Sequence, residues 1–351
     1  MSRRSLTLLI AAVGTAVAIA VSVLVPVPYV ILGPGPTLNT LGKDSSGHPL
    51  ITISGRPTYS TSGHLNLVTV SYRGCQGNQF NIFTALVAWL NPHQAVVPET
   101  EICPAGQTQQ QTQEQDTQQM TTSQETATAA ALTELHIPYT TEVVVVQTEK
   151  GFPAEGVLKA GDVITAVDGK PVTSQSGLTG LIYARPAGST LTVSISRNGQ
   201  AMQVQVGTRE QKGAGEAGGG HPVMGVAVTE RYKFPFQVTI SVGDIGGPSA
   251  GMMFALGIID KLTKLNLTGG KFIAGTGEIT ASGQVMPIGG IQQKMVGARN
   301  AGATVFLTPA SNCADTKGAV PAGLRLVKVS TLNQAVDDLE AIRAGQPVPS
   351  C

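Results

Sequence analysis

Gly246-Gly247-Pro248-Ser249-Ala250-Gly251 presents a single hydroxyl in a frame of glycines, and the rest of the chain is best read outward from it. Upstream, Phe234 to Val242 alternates apolar and polar residues, the period-two pattern of a strand ending at a glycine turn. Downstream, Met252, Met253, Phe254, Leu256, Ile258 and Ile259 read as a buried helix. Ser249 is therefore expected where a strand gives way to a helix N-terminus. Free N–H groups and the positive end of the helix dipole lie beside such a position, so an oxyanion can be held there.

A serine hydroxyl is a poor nucleophile until a base takes its proton. The five histidines, His48, His64, His93, His136 and His221, are scattered, none in a metal spacing, and His221 sits in a glycine-rich stretch as a solvated loop residue. More informative is Gly275-Thr276-Gly277-Glu278-Ile279-Thr280, followed by Gly289-Gly290-Ile291-Gln292-Gln293-Lys294, where a lysine opens a helix. Alone, a Gly-Pro-Ser turn or an early helical lysine is ordinary. Together, in this order and with Thr276 in place, they resemble the proteolytic domain of the Lon family of Ser-Lys proteases from about Val223 to Val329. GGPSAG matches the nucleophile motif, GTGEITASGQVMPIGG the following hairpin, and IQQKMVGARNAGA the base-bearing helix. The resemblance implies Ser249 as nucleophile, Lys294 as general base and Thr276 as the hydroxyl that orients the amine. It also implies a mixed α/β domain of a kind that commonly assembles into rings of six. One departure stands out: ATP-dependent members carry an acidic residue three positions before the serine, where this chain has Gly246, and Asp244 is out of register.

The N-terminus opens Met1-Ser2-Arg3-Arg4-Ser5 and then runs without a charge from Leu6 through Leu32. Leu6 to Val25 supplies about the twenty apolar residues a bilayer core requires. Such a run is a membrane span or a signal sequence. It ends in Val-Pro-Val-Pro-Tyr-Val rather than at small residues of the A-x-A type, which favours an uncleaved anchor. The two arginines before it place the N-terminus in the cytoplasm and everything after it outside. Pro26, Pro28, Gly33, Pro34, Gly35 and Pro36 read as a rigid exit from the membrane.

Short strands are expected at Leu50–Ile53 and Leu65–Val70, and a short helix at Phe83–Leu90 bearing Trp89. Gln107 to Thr128, dominated by Gln, Thr and Glu, reads as a polar loop that passes into a helix near Thr121–Leu135. Val143–Val146 is a buried strand, and the segments that follow, through Leu158-Lys159-Ala160-Gly161-Asp162-Val163-Ile164 and Asp168-Gly169-Lys170-Pro171, resemble a PDZ domain in the circular order of bacterial exported proteases. Leu191–Ile195 and Met202–Val206 supply its closing hairpin. That resemblance implies capture of a peptide as an added strand, with its C-terminal carboxylate in a backbone nest. The binding loop is expected around His136–Thr141, where the usual glycine signature is not visible. Further on, Thr304–Leu307 reads as a strand and Leu332–Arg343 as an amphipathic helix.

At 351 residues and a net charge of +1, the chain has room for two or three domains and carries no basic field that argues for nucleic acid. Four cysteines in an exported chain allow three pairings. Cys75 with Cys103 and Cys313 with Cys351 keeps each bridge within one region. No cysteine pair has metal-ligand spacing, and no Gly-Lys step is followed by Ser or Thr in a phosphate loop, so no cofactor, metal or ATPase is expected.

The fold expected is mixed α/β (α+β) with an N-terminal transmembrane helix, a PDZ-like β-rich domain and a Lon-type proteolytic domain. The boundaries run 1–32 for the anchor, 33–135 for a membrane-proximal region, 136–210 for the PDZ-like domain, 211–222 for a glycine-rich linker and 223–345 for the proteolytic domain. The function expected is an ATP-independent serine endopeptidase, single-pass in the cell membrane and facing outward, with polypeptide substrates. Two rivals stand beside it: a Ser-Lys hydrolase of another amide class, and a non-enzymatic PDZ scaffold with a degenerate protease domain.

Overall fold

The computed structural model describes residues 3–44, 46–75, 80–103, 106–211 and 220–351. Most of the glycine-rich linker expected over 211–222 lies outside the described residues. The chain forms two compact units, one from Met1–Ile137 together with Phe236–Cys351, the other from Pro138–Pro235.

The first unit begins with helix α1 (Arg3–Leu24), strands β1 (Tyr29–Asn39), β2 (Ile51–Ser54) and β3 (His64–Arg73), and helix α2 (Ile82–Leu90). Strand β4 (Ala95–Pro98) and helices α3 (Glu99–Ile102) and α4 (Gln109–Glu134) complete its first half. The second unit contains β5 (Thr140–Thr148), β6 (Val163–Val167), β7 (Lys170–Pro171), α5 (Gln175–Tyr183), β8 (Thr190–Arg197), β9 (Gln200–Gly207), β10 (Arg209–Gln211), β11 (His221–Val223) and β12 (Val226–Lys233). The first unit then resumes with β13 (Gln237–Ile240), α6 (Gly251–Leu262), β14 (Phe272–Gly275), β15 (Glu278–Ile279) and β16 (Val285–Met286). It closes with α7 (Ile291–Asn300), β17 (Val305–Pro309), a 3₁₀ turn over Ala310–Thr316, β18 (Arg325–Val329) and α8 (Leu332–Arg343).

One sheet organises the first unit, in the order β18-β17-β14-β3-β1-β4. Its β14, β17 and β18 run parallel to one another, and β3 joins them parallel to β14, with Leu65 opposite Ile273 and Leu67 opposite Gly275. Residues 33–135 are therefore not a separate membrane-proximal domain. They supply half of the sheet on which the nucleophile and base segments are mounted. The boundary expected at 223 also moves, because β12 pairs along its length with β5 and belongs to the second unit.

Helix α7 packs on this sheet through Ile291, Met295 and Ala298, which bury against Val68, Ala274 and Phe306. Every residue of α6 except Lys261 is buried, in keeping with a sequence that is apolar on all sides. The Pro-Gly run over 33–36 is not a membrane exit but part of β1. Proline is tolerated there because β4 covers only Tyr29–Leu32, and because the β1–β3 register shifts between Pro34 and Thr37.

The polar loop expected over Gln107–Thr128 is also corrected, since α4 is one continuous helix from Gln109. Thr108 and Gln111 form a reciprocal capping box at its start, and glutamine is a good helix former. Its second half, from Met120 through Leu132, buries small and apolar residues against α6. That tertiary contact stabilises a composition unable to fold alone.

In the second unit the main sheet runs β12-β5-β6-β8-β9, with β7 on β6, and its core gathers Val143, Ile164, Leu178, Leu191, Val193 and Val206. The structure pairs Cys75 with Cys103 and Cys313 with Cys351. Helix α1 is long and apolar enough to cross a bilayer, and none of its most apolar stretch is buried in the protein.

Candidate active site

The turn from β13 into α6 carries Ser249, the residues after β14 carry Thr276, and the second turn of α7 carries Lys294. The fold brings the three together. Lys294 Nζ donates to Ser249 Oγ at 2.8 Å and to Thr276 Oγ1 at 3.0 Å. The Thr276 hydroxyl in turn donates to the Ser249 carbonyl at 2.9 Å. A threonine hydroxyl has one proton to give, so with that proton on Ser249 its oxygen is left to accept from the amine.

Backbone bonds hold the serine turn on the same segment. Gly277 N–H donates to the Ser249 carbonyl and Met252 N–H to the Gly277 carbonyl, both at 2.9 Å. The start of α7 is fixed from the other side. Asn312 accepts from Ile288 N–H at 2.9 Å and donates to the Ile288 carbonyl at 3.0 Å.

Lys294 is 3% exposed and Thr276 1% exposed. Burial disfavours the charged amine and lowers the Lys294 pKa from 10.5 to about 8. Ser249 and Lys294 open into a cleft of about 390 Å³, also lined by Tyr72, Asp116, Asp244 and Gly246. Those last four residues line a neighbouring cavity of about 550 Å³ as well. The N–H groups of Ser249 and Ala250 donate to no partner among the described residues and lie at the mouth of α6.

Sequence reading missed the contribution of α4. The Asp116 carbonyl accepts from Gly247 N–H at 3.0 Å, and Ser123 Oγ donates to the Pro248 carbonyl at 2.9 Å. Gly246 is required by this contact, because a Cβ there would lie 2.5 Å from the Asp116 Cβ. The missing acidic side chain at 246 thus has its space filled by an acidic residue of another helix. Burial pushes the Asp116 carboxyl up, and with Asp116 close by it also raises the Tyr72 phenol. The signal available in sequence was the Thr108-Gln-Gln-Gln111 cap.

A second candidate site lies in the other unit. The loop expected at His136–Thr141 is not the glycine-bearing one, because the outer edge of β5 is occupied by β12. Among the described residues β12 and β9 are the two outer strands of this sheet, and the turn before β12, Val223-Met224-Gly225-Val226, contains Gly225 at φ 75°. A groove of about 340 Å³ runs between this turn and α5, lined by Thr179, Ile182, Tyr183, Val223, Gly225 and Val226. His221, read from sequence as a loop residue, is in β11 and stacks on Tyr183 at 4.6 Å.

Comparison with known families finds a match in each unit. Residues 237–341 match the model of the Lon protease (S16) C-terminal proteolytic domain, and residues 111–208 match that of the PDZ domain. The chain carries a Lon-type proteolytic domain and a PDZ domain. Lon protease of Heliobacterium modesticaldum is 30% identical over 204 residues, 50% of this chain and 23% of that protein. Lon protease 1 of Bacillus subtilis is 28% identical over 173 residues, 46% of this chain and 22% of that protein. The chain thus spans about a quarter of the length of these curated relatives. Among solved structures, the PDZ domain of the SdrC-like protein from Listeria monocytogenes is 24% identical, covers 24% of this chain and 85% of its own, and superposes with a TM-score of 0.22. The PDZ match begins inside α4 and stops before β11 and β12, so the strand that edges the groove lies outside it. The Lon-type match includes Ser249, Thr276 and Lys294 but neither β3 nor α4.

Proposed function

We propose that the chain is a serine endopeptidase anchored in the membrane by α1, facing outward, working without nucleotide and engaging peptides through its PDZ unit. The observation that carries this reading is the buried Lys294 amine 2.8 Å from Ser249 Oγ. A neutral Lys294 with one N–H on Thr276 has its lone pair free to take the Ser249 proton as Oγ attacks a peptide carbonyl. The Ser249 and Ala250 N–H groups, at the positive end of α6, suit the oxyanion that then develops. The protonated lysine returns its proton to the leaving amine, and water repeats the sequence on the acyl-enzyme. A cleft that continues into a neighbouring cavity suits an extended polypeptide better than a small amide. Outward orientation is supported by Arg3 and Arg4 at the N-terminal end of α1 and by two disulfides, which persist in oxidising compartments.

The purified full-length protein is expected to cleave an unfolded polypeptide at the same rate with and without ATP. Cleavage of small amides alone, or a large stimulation by ATP, overturns this reading.

The PDZ unit has its own expected result. A peptide ending in an apolar residue adds as a strand to β12, with its carboxylate at the Val223–Val226 turn. Fluorescence anisotropy with the full chain should show binding that weakens about tenfold or more when the peptide is amidated, since a charge-assisted bond is lost. Thr179→Arg, which fills the groove wall, should weaken the free-carboxylate peptide similarly; equal affinity for both peptides refutes C-terminal capture.

A further inference from the structure

Helix α2 is apolar apart from Thr84, and most of its surface is left uncovered by the described residues. Its nine residues, Ile82 to Leu90, carry no charge, and only Ala88 is buried. Phe83 is 45% exposed, Leu86 49%, Val87 69%, Trp89 69% and Leu90 68%. A helix on the surface of a soluble protein turns a polar face to water, and a contiguous apolar patch of this kind marks a binding surface.

Its position indicates what covers it. The Asn81 side chain, which caps α2 by accepting from Thr84 N–H, also donates to the Val23 carbonyl at the end of α1, at 3.3 Å. Val27 N–H donates to the Phe80 carbonyl at 3.0 Å, and Pro26 bridges to Asn81. The start of α2 is therefore tied to the point where the chain leaves α1. A space of about 780 Å³ lies between them, walled by Val23, Ile31, Phe83 and Val87, and among the described residues that line it Arg73 is the basic one. Acyl chains fit such walls, and a lipid phosphate complements the guanidinium.

We propose that α2 is an interfacial membrane helix, lying in the headgroup–acyl boundary of the leaflet at which α1 ends, with the lipid surface itself as its partner. Trp89 and Phe83 sit where aromatic side chains concentrate in membrane proteins, one end apolar and the other wet. The inference rests on the reading of α1 as an anchor and adds a second, laterally oriented attachment that fixes the first unit against the bilayer.

Trp89 is the only tryptophan in the chain, so its emission reports α2 alone. The full-length protein is reconstituted into phosphatidylcholine–phosphatidylglycerol vesicles, some made with lipids brominated near the headgroup end of the acyl chain. The expected result is a blue-shifted emission that is strongly quenched by the brominated lipid and little affected by aqueous iodide. Leu86→Glu combined with Val87→Lys should abolish that quenching while the protein still floats with the vesicles through α1. Red-shifted, iodide-quenched emission from protein that floats overturns the proposal and leaves the anchor standing. Blue-shifted emission that no brominated lipid quenches shows that a second copy or another protein covers α2, and also overturns it. Failure to float shows that the anchor reading itself is wrong, and the proposal falls with it.

Discussion

Lys294→Arg should abolish turnover, lowering kcat by on the order of 10³-fold or more, because a guanidinium stays protonated at any pH the protein survives. The argument depends on the protonation state, not on size. Only the neutral amine can accept the Ser249 proton, and burial brings the Lys294 pKa from 10.5 to about 8. The group is cationic below that value and neutral above it, so activity rises with pH. About a tenth of the molecules hold a neutral base at pH 7, half at pH 8, and about nine-tenths at pH 9. The wild-type pH–kcat profile should therefore climb to a plateau with a midpoint near 8. Ser249→Ala should be as inactive as Lys294→Arg, and the double variant no worse than either, since the two act as a unit. Thr276→Ala removes an acceptor that favours the ammonium form, so the enzyme should be slower with its midpoint moved down. A Lys294→Arg variant with wild-type kcat would remove the lysine from the mechanism, and the Ser-Lys assignment with it.

Cys313→Ser with Cys351→Ser should give the largest loss of stability. The bridge closes a loop with a sequence separation of 38 residues, for which chain entropy alone gives about 4 kcal/mol. Its loss also frees the C-terminal tail, whose Pro349 carbonyl accepts from Lys328 N–H at the edge strand β18. Cys313 lies in the 3₁₀ turn next to Asn312, which holds Ile288 ahead of α7, so the loosening reaches the segment that presents Lys294. Denaturant unfolding of the full chain should show a clearly lower midpoint and a fall in activity before global unfolding. An unchanged midpoint after both substitutions would show that the bridge contributes nothing.

What sequence made legible was local. The Ser249 turn, α6, the Thr276 segment and α7 each carry their signal within a few residues, and their order supplied the rest. Helix α4 was legible only in its second half, expected near Thr121–Leu135, because the Gln/Thr-rich first half looks like a loop until the buried partner α6 is known. The same holds for β1, where a Pro-Gly run reads as a break in isolation and as a bulged strand once β3 and the short reach of β4 are in view. In the PDZ unit, the groove was sought ahead of β5, whereas its edge strand β12 enters from the far end of the chain segment. Pairing across that separation leaves no mark on either sequence alone. Asp116 belongs to the same class, since its contact with Gly246 is set by tertiary packing and not by spacing.

The chain order described above, with the PDZ unit inserted between the halves of the proteolytic unit, bears on how the enzyme assembles. Strand β3 must find β14 across everything in between, a high-contact-order pairing that is slow because loop closure comes before any reward. In the folded PDZ unit, however, Thr140 lies directly opposite Lys233 in the β5–β12 ladder. Once that unit has folded, its two ends are within about 5.5 Å of one another, so its own length no longer counts toward the loop that β3–β14 pairing must close. By the logarithmic scaling of loop entropy, shortening the effective β3–β14 loop from about two hundred residues to about a hundred is worth roughly 0.6 kcal/mol. Prior folding of the PDZ unit therefore eases this closure only slightly, and Ser249 cannot meet Lys294 until the last third of the chain has emerged. Catalytic competence arrives late in synthesis by topology alone.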